Sequence, residues 1–147
     1  MKNKEEKFEI IVRALIQYNG KILVCRNKEK NYYFLPGGHI DFGESAESAL
    51  SRELKEELDV SLKKYSFIGV VENVYSEDNQ KHHEINLVFE VKTDKVRERS
   101  KENHIDFFFF NQEELKRRII LPLALKNAML KWCQDKKVFW ASEAPTF

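Results

Sequence analysis

Residues 38–60 read GHIDFGESAESALSRELKEELDV, and within them Arg52-Glu53-Leu54-Lys55-Glu56-Glu57-Leu58 crowds three carboxylates into five positions. Ala46, Ala49, Leu50, Leu54 and Leu58 recur at helical spacing, which predicts a helix from Ser45 to Leu58. Ser45 suits the N-cap, and Glu47 lies in the first turn beside the positive helix end. Each helical residue turns by about 100°, so Glu57 lies about 40° to one side of Glu53 and Glu56 about 60° to the other. All three acids therefore share one face. The Leu50/Leu54/Leu58 stripe is centred about 100° round from Glu53, so Glu53 and Glu57 flank buried surface. Like charges at i,i+4 destabilise a helix by a few tenths of a kcal/mol, and partial burial adds to that. A divalent cation reverses the sign of this argument, because clustered oxygen ligands suit Mg²⁺ or Mn²⁺. Clustered glutamates also decorate solvated helices, so charge crowding by itself leaves both readings open.

The flanking residues narrow the choice. Gly38 is followed after five residues by Glu44, then after seven by Arg52-Glu53-Leu54-Lys55-Glu56-Glu57, and the run closes at Val60. This resembles the Nudix box, the signature of the Nudix hydrolases (the MutT-like family). That pattern is glycine, five residues, glutamate, seven residues, then Arg-Glu-apolar-any-Glu-Glu-any-Gly-apolar. Gly38, Glu44, Arg52, Glu53, Leu54, Glu56, Glu57 and Val60 match it. One position departs: the glycine that ends the helix is Asp59 here. Asp tolerates the left-handed conformation better than most residues, so the departure bears on helix termination rather than chemistry.

The resemblance implies an α/β fold, an α/β/α sandwich with a mixed sheet between helices. It also implies hydrolysis of a pyrophosphate bond in a nucleoside diphosphate linked to another group X, giving a nucleoside monophosphate and phosphorylated X. Metal ligands implied by position are Glu53, Glu56 and Glu57, with the Gly38 carbonyl and Glu44 as further candidates for Mg²⁺, or Mn²⁺ in its place. Arg52 is implied as an orienting partner of Glu44 or of a ligand carboxylate. The general base stays open between Glu53 and a carboxylate of the stretch before residue 85: Glu77, Asp78 or Glu84. Besides a structural helical interface with no metal, which the full box disfavours, two rivals remain, a non-catalytic nucleotide sensor on the same fold and an RNA 5′-end pyrophosphohydrolase. The full glutamate set speaks against the first.

Substrate signals are thin. Subfamily markers fall near Tyr75-Ser76-Glu77-Asp78, where Tyr75 and Glu77 are candidate contacts. The turn between two C-terminal helices, carrying Ile119, Leu121 and Pro122, corresponds to a base-pocket wall. Its apolar residues can stack a base but cannot read its edge.

The remaining sequence bounds the class. The 147 residues suit one domain, 1–147, with 1–7 as a flexible polar tail. Of these residues 42% are hydrophobic and 33% charged, a folded rather than a disordered balance. Lys+Arg number 25 against 24 Asp+Glu, so composition gives a nucleic-acid partner no support. No apolar run reaches the ~18 residues that span a membrane, and no secretory signal is visible. The expectation is a cytoplasmic monomer or homodimer acting on a small nucleotide. Cys25 and Cys133 sit in apolar patterns and read as core thiols rather than a disulfide. Predicted strands cover 8–18, 21–25, 32–38, 66–75, 85–91, 105–110 and an edge segment at 137–140. Asn19-Gly20 marks a hairpin turn. Short helices follow, one over 111–118 capped by Asn111 and one opened by Pro122. Residues 76–84, including His82-His83-Glu84, read as a solvated loop. Residues 92–103 read as a second polar connection.

Overall fold

A computed structural model describes residues 5–93 and 104–144. Its elements are β1 (Glu6–Tyr18), β2 (Lys21–Asn27), β3 (Gly37–His39), α1 (Ala46–Leu58), β4 (Lys64–Glu77), β5 (Gln80–Lys92), β6 (Ile105–Phe110), α2 (Gln112–Lys116), α3 (Leu123–Asp135) and β7 (Phe139–Ser142). The strands run in the order β6-β2-β1-β5-β4-β7, with β3 paired to β1. The β1–β5 and β4–β7 pairs are parallel and the others antiparallel, the mixed sheet expected.

Side-chain alternation along β1 builds two cores, one on each sheet face. Leu15 faces α3 together with Val24, Ile68, Leu125, Met129 and Trp132. Val12, Ala14 and Ile16 face α1 and meet Ala49, Leu50, Leu54 and Leu58. Each such leucine contributes about 1.5–3 kcal/mol by leaving water. The four phenylalanines of β6 divide in the same way: Phe108 and Phe110 pack on the α3 side, Phe107 and Phe109 on the α1 side.

Two expectations are corrected. The stretch 76–84 is not a loop. Past a register shift between Phe67 and Gly69, the β4–β5 ladder runs on to Glu77↔Gln80 and closes through Asp78-Asn79, both with positive φ (49° and 63°). A two-residue turn of this kind matches strand twist and lets polar residues stay in register, because main-chain bonds need no apolar side chains. The second correction concerns the tail. Glu6 and Lys7 belong to β1, since parallel pairing reaches back to Glu6↔Lys81, and only residues 1–4 of the tail lie outside the described part. Three smaller shifts follow. Regular strand in 32–38 narrows to Gly37–His39, helix α2 stops at Lys116, and the edge strand starts at Phe139. Residues 94–103 of the second polar connection lie outside the described part. Both cysteines are thiols, Cys25 buried and Cys133 partly so.

Helix α1 ends at Asp59 although the glycine of the family pattern is absent there. Asp59 is left-handed (φ 55°, ψ 33°), and its N–H closes onto Leu54 and Lys55 carbonyls. Its carboxylate also meets Lys55 Nζ at 2.7 Å. Glycine here loses that ion pair but relieves the backbone, so Asp59→Gly is expected to leave stability within about 1 kcal/mol. Valine cannot take the conformation cheaply, so Asp59→Val is expected to cost about 1–2 kcal/mol. Urea unfolding of the three proteins checks both figures.

Candidate active site

The site begins with two glycines at the entrance to α1. Gly37 has φ +149°, and a Cβ there would lie 1.9 Å from the Val12 carbonyl oxygen. A Cβ on Gly38 would lie 2.4 Å from Glu53 Oε1 and 2.8 Å from Oε2. A side chain at Gly37 would run into the β1 backbone, and one at Gly38 would displace the Glu53 carboxylate, so the backbone at Gly38 lies directly against a carboxylate of α1. The Ser45 hydroxyl caps the helix by accepting from Ser48 N at 3.1 Å, which fixes the start and hence the phase of the acidic face.

That phase is the one predicted. The Glu53 side chain is 15% exposed, Glu57 is 8% exposed and Glu56 is 56% exposed. Arg52 holds the group together. Its Nε donates to Glu44 Oε2 and its Nη2 to Glu44 Oε1, both at 2.9 Å, a two-pronged fork. Its Nη1 donates to Glu53 Oε1 at 2.8 Å, and its Nη2 also reaches the His39 carbonyl at 3.0 Å. Hydrogen bonds from the Arg52 fork, with one from the Asp41 N–H, pull the Glu44 carboxyl down to about 2. Hydrogen bonding to Glu44 likewise raises the Arg52 guanidinium above its already high value. Both oxygens of Glu44 are thus engaged within the protein. With Glu53 turned to Arg52 and Glu56 toward solvent, no three acidic, His or Cys side chains among the described residues stand close enough, as placed, to hold an ion.

A second feature lies on the α3 side of the sheet, a cavity of about 500 Å³. Its walls include Tyr32, Phe34, Tyr75, Leu121 and Pro122, the last joined to Leu121 by a cis peptide bond. Polar groups enter from the strands. The Tyr75 hydroxyl donates to Glu84 Oε1 at 2.9 Å, and Glu84 is buried. Arg13 Nε donates to Asn86 Oδ1 at 3.2 Å, and Asn86 Nδ2 lies 3.5 Å from Glu84 Oε2. Burial, then the hydrogen bond to Glu84 and the charges of Glu84, Glu9 and Glu77, push the Tyr75 hydroxyl well above its ordinary value, so it stays a donor.

The two features are joined twice. Residues 34–38 run from the cavity wall to the glycine against Glu53, with Pro36 accepting from Ala14 N at 2.8 Å. Across the strands, His82 stacks on Tyr75 with ring centroids 4.7 Å apart and meets Glu9 Oε2 at 2.9 Å, while Glu9 Oε1 meets His39 at 3.0 Å. Burial works to raise the Glu9 carboxyl, but the two histidines outweigh it and hold the group below its usual value. His83 points the other way, to Glu72 at 2.9 Å, as alternation requires.

Of the substrate contacts expected from sequence, Tyr75, Glu77, Leu121 and Pro122 line the cavity. Ile119 does not: its carbonyl accepts from Tyr33 N and its side chain is exposed. Among the base candidates, Asp78 sits in the hairpin turn, Glu77 lines the cavity and Glu84 forms its buried polar wall. Sequence reasoning missed Arg13, Phe34 and Asn86. Arg13 was visible as a charge inside an apolar strand, and Glu84/Asn86 as polar residues two apart on one strand face, had β5 been extended to Gln80.

This architecture and its acidic helix are those of a Nudix domain, and the Nudix family matches residues 7–133. The chain belongs to that family. A stretch of 83 residues is 34% identical to an ADP-ribose pyrophosphatase of Methanocaldococcus jannaschii, covering 54% of this chain and 48% of that protein, so this chain spans about half the length of that relative. Over 129 residues it is 28% identical to a putative 8-oxo-dGTP diphosphatase of Bacillus subtilis, covering 79% and 78% of the two chains. In fold it is similar to MutT proteins of Bacillus halodurans (TM-score 0.71, 13% identity, 93% and 91% covered) and Methanosarcina mazei (TM-score 0.71, 23% identity, 90% and 98% covered). No helix among the described residues is long and apolar enough to cross a membrane.

The Glu44–Arg52 fork generates a pH expectation. A folded-state value below the ordinary one contributes stability that is present above pH 4.5 and is lost as pH falls toward 2. Carboxyl-detected NMR titration is expected to place Glu44 near 2 in the parent and to move it up toward, but not fully to, 4.5 in Arg52→Ala, because the Asp41 N–H still donates to it. Acid unfolding over the same window is expected to be shallower for Glu44→Gln than for the parent.

Proposed function

We propose that this protein is a metal-dependent pyrophosphohydrolase that cleaves a nucleoside diphosphate linked to a further group, releasing a nucleoside monophosphate and phosphorylated X. The observation that carries this reading is the Glu53 carboxylate held against Gly38, where any side chain would displace it, on the helix face it shares with Glu56 and Glu57. The donor set is all oxygen, which suits a hard divalent cation such as Mg²⁺, with Mn²⁺ a substitute. The residues to hold it are Glu53, Glu56 and Glu57, with the Gly38 carbonyl beside them. Bound there, the ion neutralises phosphate charge and makes water a better nucleophile.

The protein's own groups do the rest. Arg52 orients Glu53 and keeps a positive charge among acids that otherwise repel one another. Glu44, with both oxygens on Arg52 and the Asp41 N–H, is assigned to positioning Arg52 rather than to a second ion. The cavity walled by Phe34, Tyr75 and Pro122 holds the nucleoside, and the segment 34–38 leads from it to the acidic face. Four extended residues span at most ~14 Å, within the reach of a nucleotide from base to pyrophosphate. The names of the two relatives, a pyrophosphatase and a diphosphatase, support the same bond class.

A panel of nucleoside triphosphates, nucleotide sugars, ADP-ribose and dinucleoside polyphosphates, assayed with Mg²⁺, tests the reading. Hydrolysis is expected to stop in EDTA and return with Mg²⁺ or Mn²⁺, and the ion is expected to raise the melting temperature of the folded protein. Full activity in chelator overturns the assignment. Glu56→Gln and Glu57→Gln are each expected to lower kcat by on the order of 10²-fold or more, about 2.7 kcal/mol. Their metal-free melting temperatures are expected to equal or exceed the parent's, because each change removes like-charge repulsion. Parental turnover in both variants counts against the metal role. Gly38→Ala is expected to fold, since the displaced Glu53 carboxylate is the end of a flexible side chain, yet to lose turnover.

A further inference from the structure

We infer that the cavity reads the base and that Glu84 makes it selective for a guanine-type edge, two adjacent N–H donors. The inference rests on the nucleotide-hydrolysing reading and deepens it. Glu84 is a buried carboxylate on the wall of a cavity lined by Tyr32 and Phe34. An ionised carboxylate only accepts, and its two oxygens offer about four lone-pair sites. Inside the protein Oε1 takes the Tyr75 hydroxyl at 2.9 Å and Oε2 has the Asn86 amide at 3.5 Å, so capacity remains on both oxygens. The Asn86 amide cannot reverse to supply an acceptor, because its Oδ1 is held by Arg13 Nε at 3.2 Å.

The bases differ at the edge this carboxylate meets. Guanine presents N1–H and the N2 amino group side by side, a match for two carboxylate oxygens. Adenine and cytosine present an amino group beside a bare ring nitrogen, whose lone pair meets that of the carboxylate. Uracil presents one N–H between two carbonyls. A buried carboxylate left facing a lone pair loses water and gains nothing, which makes rejection strong. Aromatic and apolar walls from Phe34, Leu121 and Pro122 stack any base, so they hold it without choosing. Phosphates belong outside: Glu77, Glu84 and Glu143 line the cavity against the single guanidinium of Arg13.

The test is equilibrium binding of GMP, AMP and 8-oxo-GMP to the full chain in chelator, by calorimetry. A good bidentate pair discriminates by about 5- to 150-fold. The parent is expected to bind GMP at least ~10-fold tighter than AMP. 8-oxo-GMP keeps both donors on the same edge and is expected to bind like GMP. Glu84→Gln turns one acceptor into a donor and is expected to level or invert the GMP:AMP ratio, with an unchanged fold by circular dichroism. Tyr75→Phe removes the group that orients the carboxylate and is expected to shrink the ratio several-fold. Equal binding of GMP and AMP by the parent overturns the inference. So does a ratio unchanged in either variant, or tight binding of 8-oxo-GMP alone, which places selectivity at C8. GTP and ATP hydrolysis with Mg²⁺ is measured alongside. Failure there strikes the hydrolase reading and leaves the binding ratio to judge the pocket.

Discussion

The close approach of residues 36–38 to two other elements is the constraint on which the rest depends. Gly37 lies against the Val12 carbonyl of β1, and Gly38 lies against the Glu53 carboxylate of α1. Main-chain bonds from Ala14 N to Pro36 O and from Ile40 N to Ile10 O lace the same segment to β1. A side chain at Gly37 would run into the β1 backbone, and one at Gly38 would displace the Glu53 carboxylate. The acidic face of α1 is therefore placed by backbone packing, and the leucine stripe behind it supplies the energy that keeps it there.

That placement concentrates negative charge, and the molecule meets the cost in two ways. On α1, Arg52 divides its donors between Glu44 and Glu53, so one cation serves two carboxylates and the His39 carbonyl. Across the strands Glu9 lies between His39 and His82. At the cavity the solution differs. Glu84 accepts from neutral donors, Tyr75 and Asn86, and Arg13 approaches Asn86. An acid held by neutral groups keeps acceptor capacity for an incoming donor. An acid held in an arginine fork does not.

The two walls suit different ends of one ligand. The α1 side is open, acidic and oxygen-rich, fit for a cation and the phosphates it gathers. The cavity on the α3 side is partly enclosed, aromatic and acidic at one edge, fit for a flat ring that brings N–H groups. Residues 34–38 join them because Phe34 bridges to Cys25 of β2 before the chain crosses to β1.

The sequence by itself determined helix α1, its Ser45 cap and the shared face of Glu53, Glu56 and Glu57. All of these follow from local periodicity and short-range capping, which need no partner element. It also indicated the division of Phe107–Phe110 between two faces, since strand alternation is local. Only the tertiary structure decided that residues 76–84 are two strand ends joined by a tight turn. Polar side chains hide a ladder whose stability comes from cross-strand main-chain bonds, and Asp78-Asn79 reveals its turn only once both flanks are paired. The cavity was likewise beyond local reading. Arg13, Phe34, Glu84 and Pro122 come from four separate segments, and their meeting is set by strand order and by the β1–β5 register. The engagement of Glu44 by Arg52 was foreseen as one option. The two-pronged fork itself was beyond local reading, because both oxygens face one guanidinium only when the loop before α1 folds back over the helix.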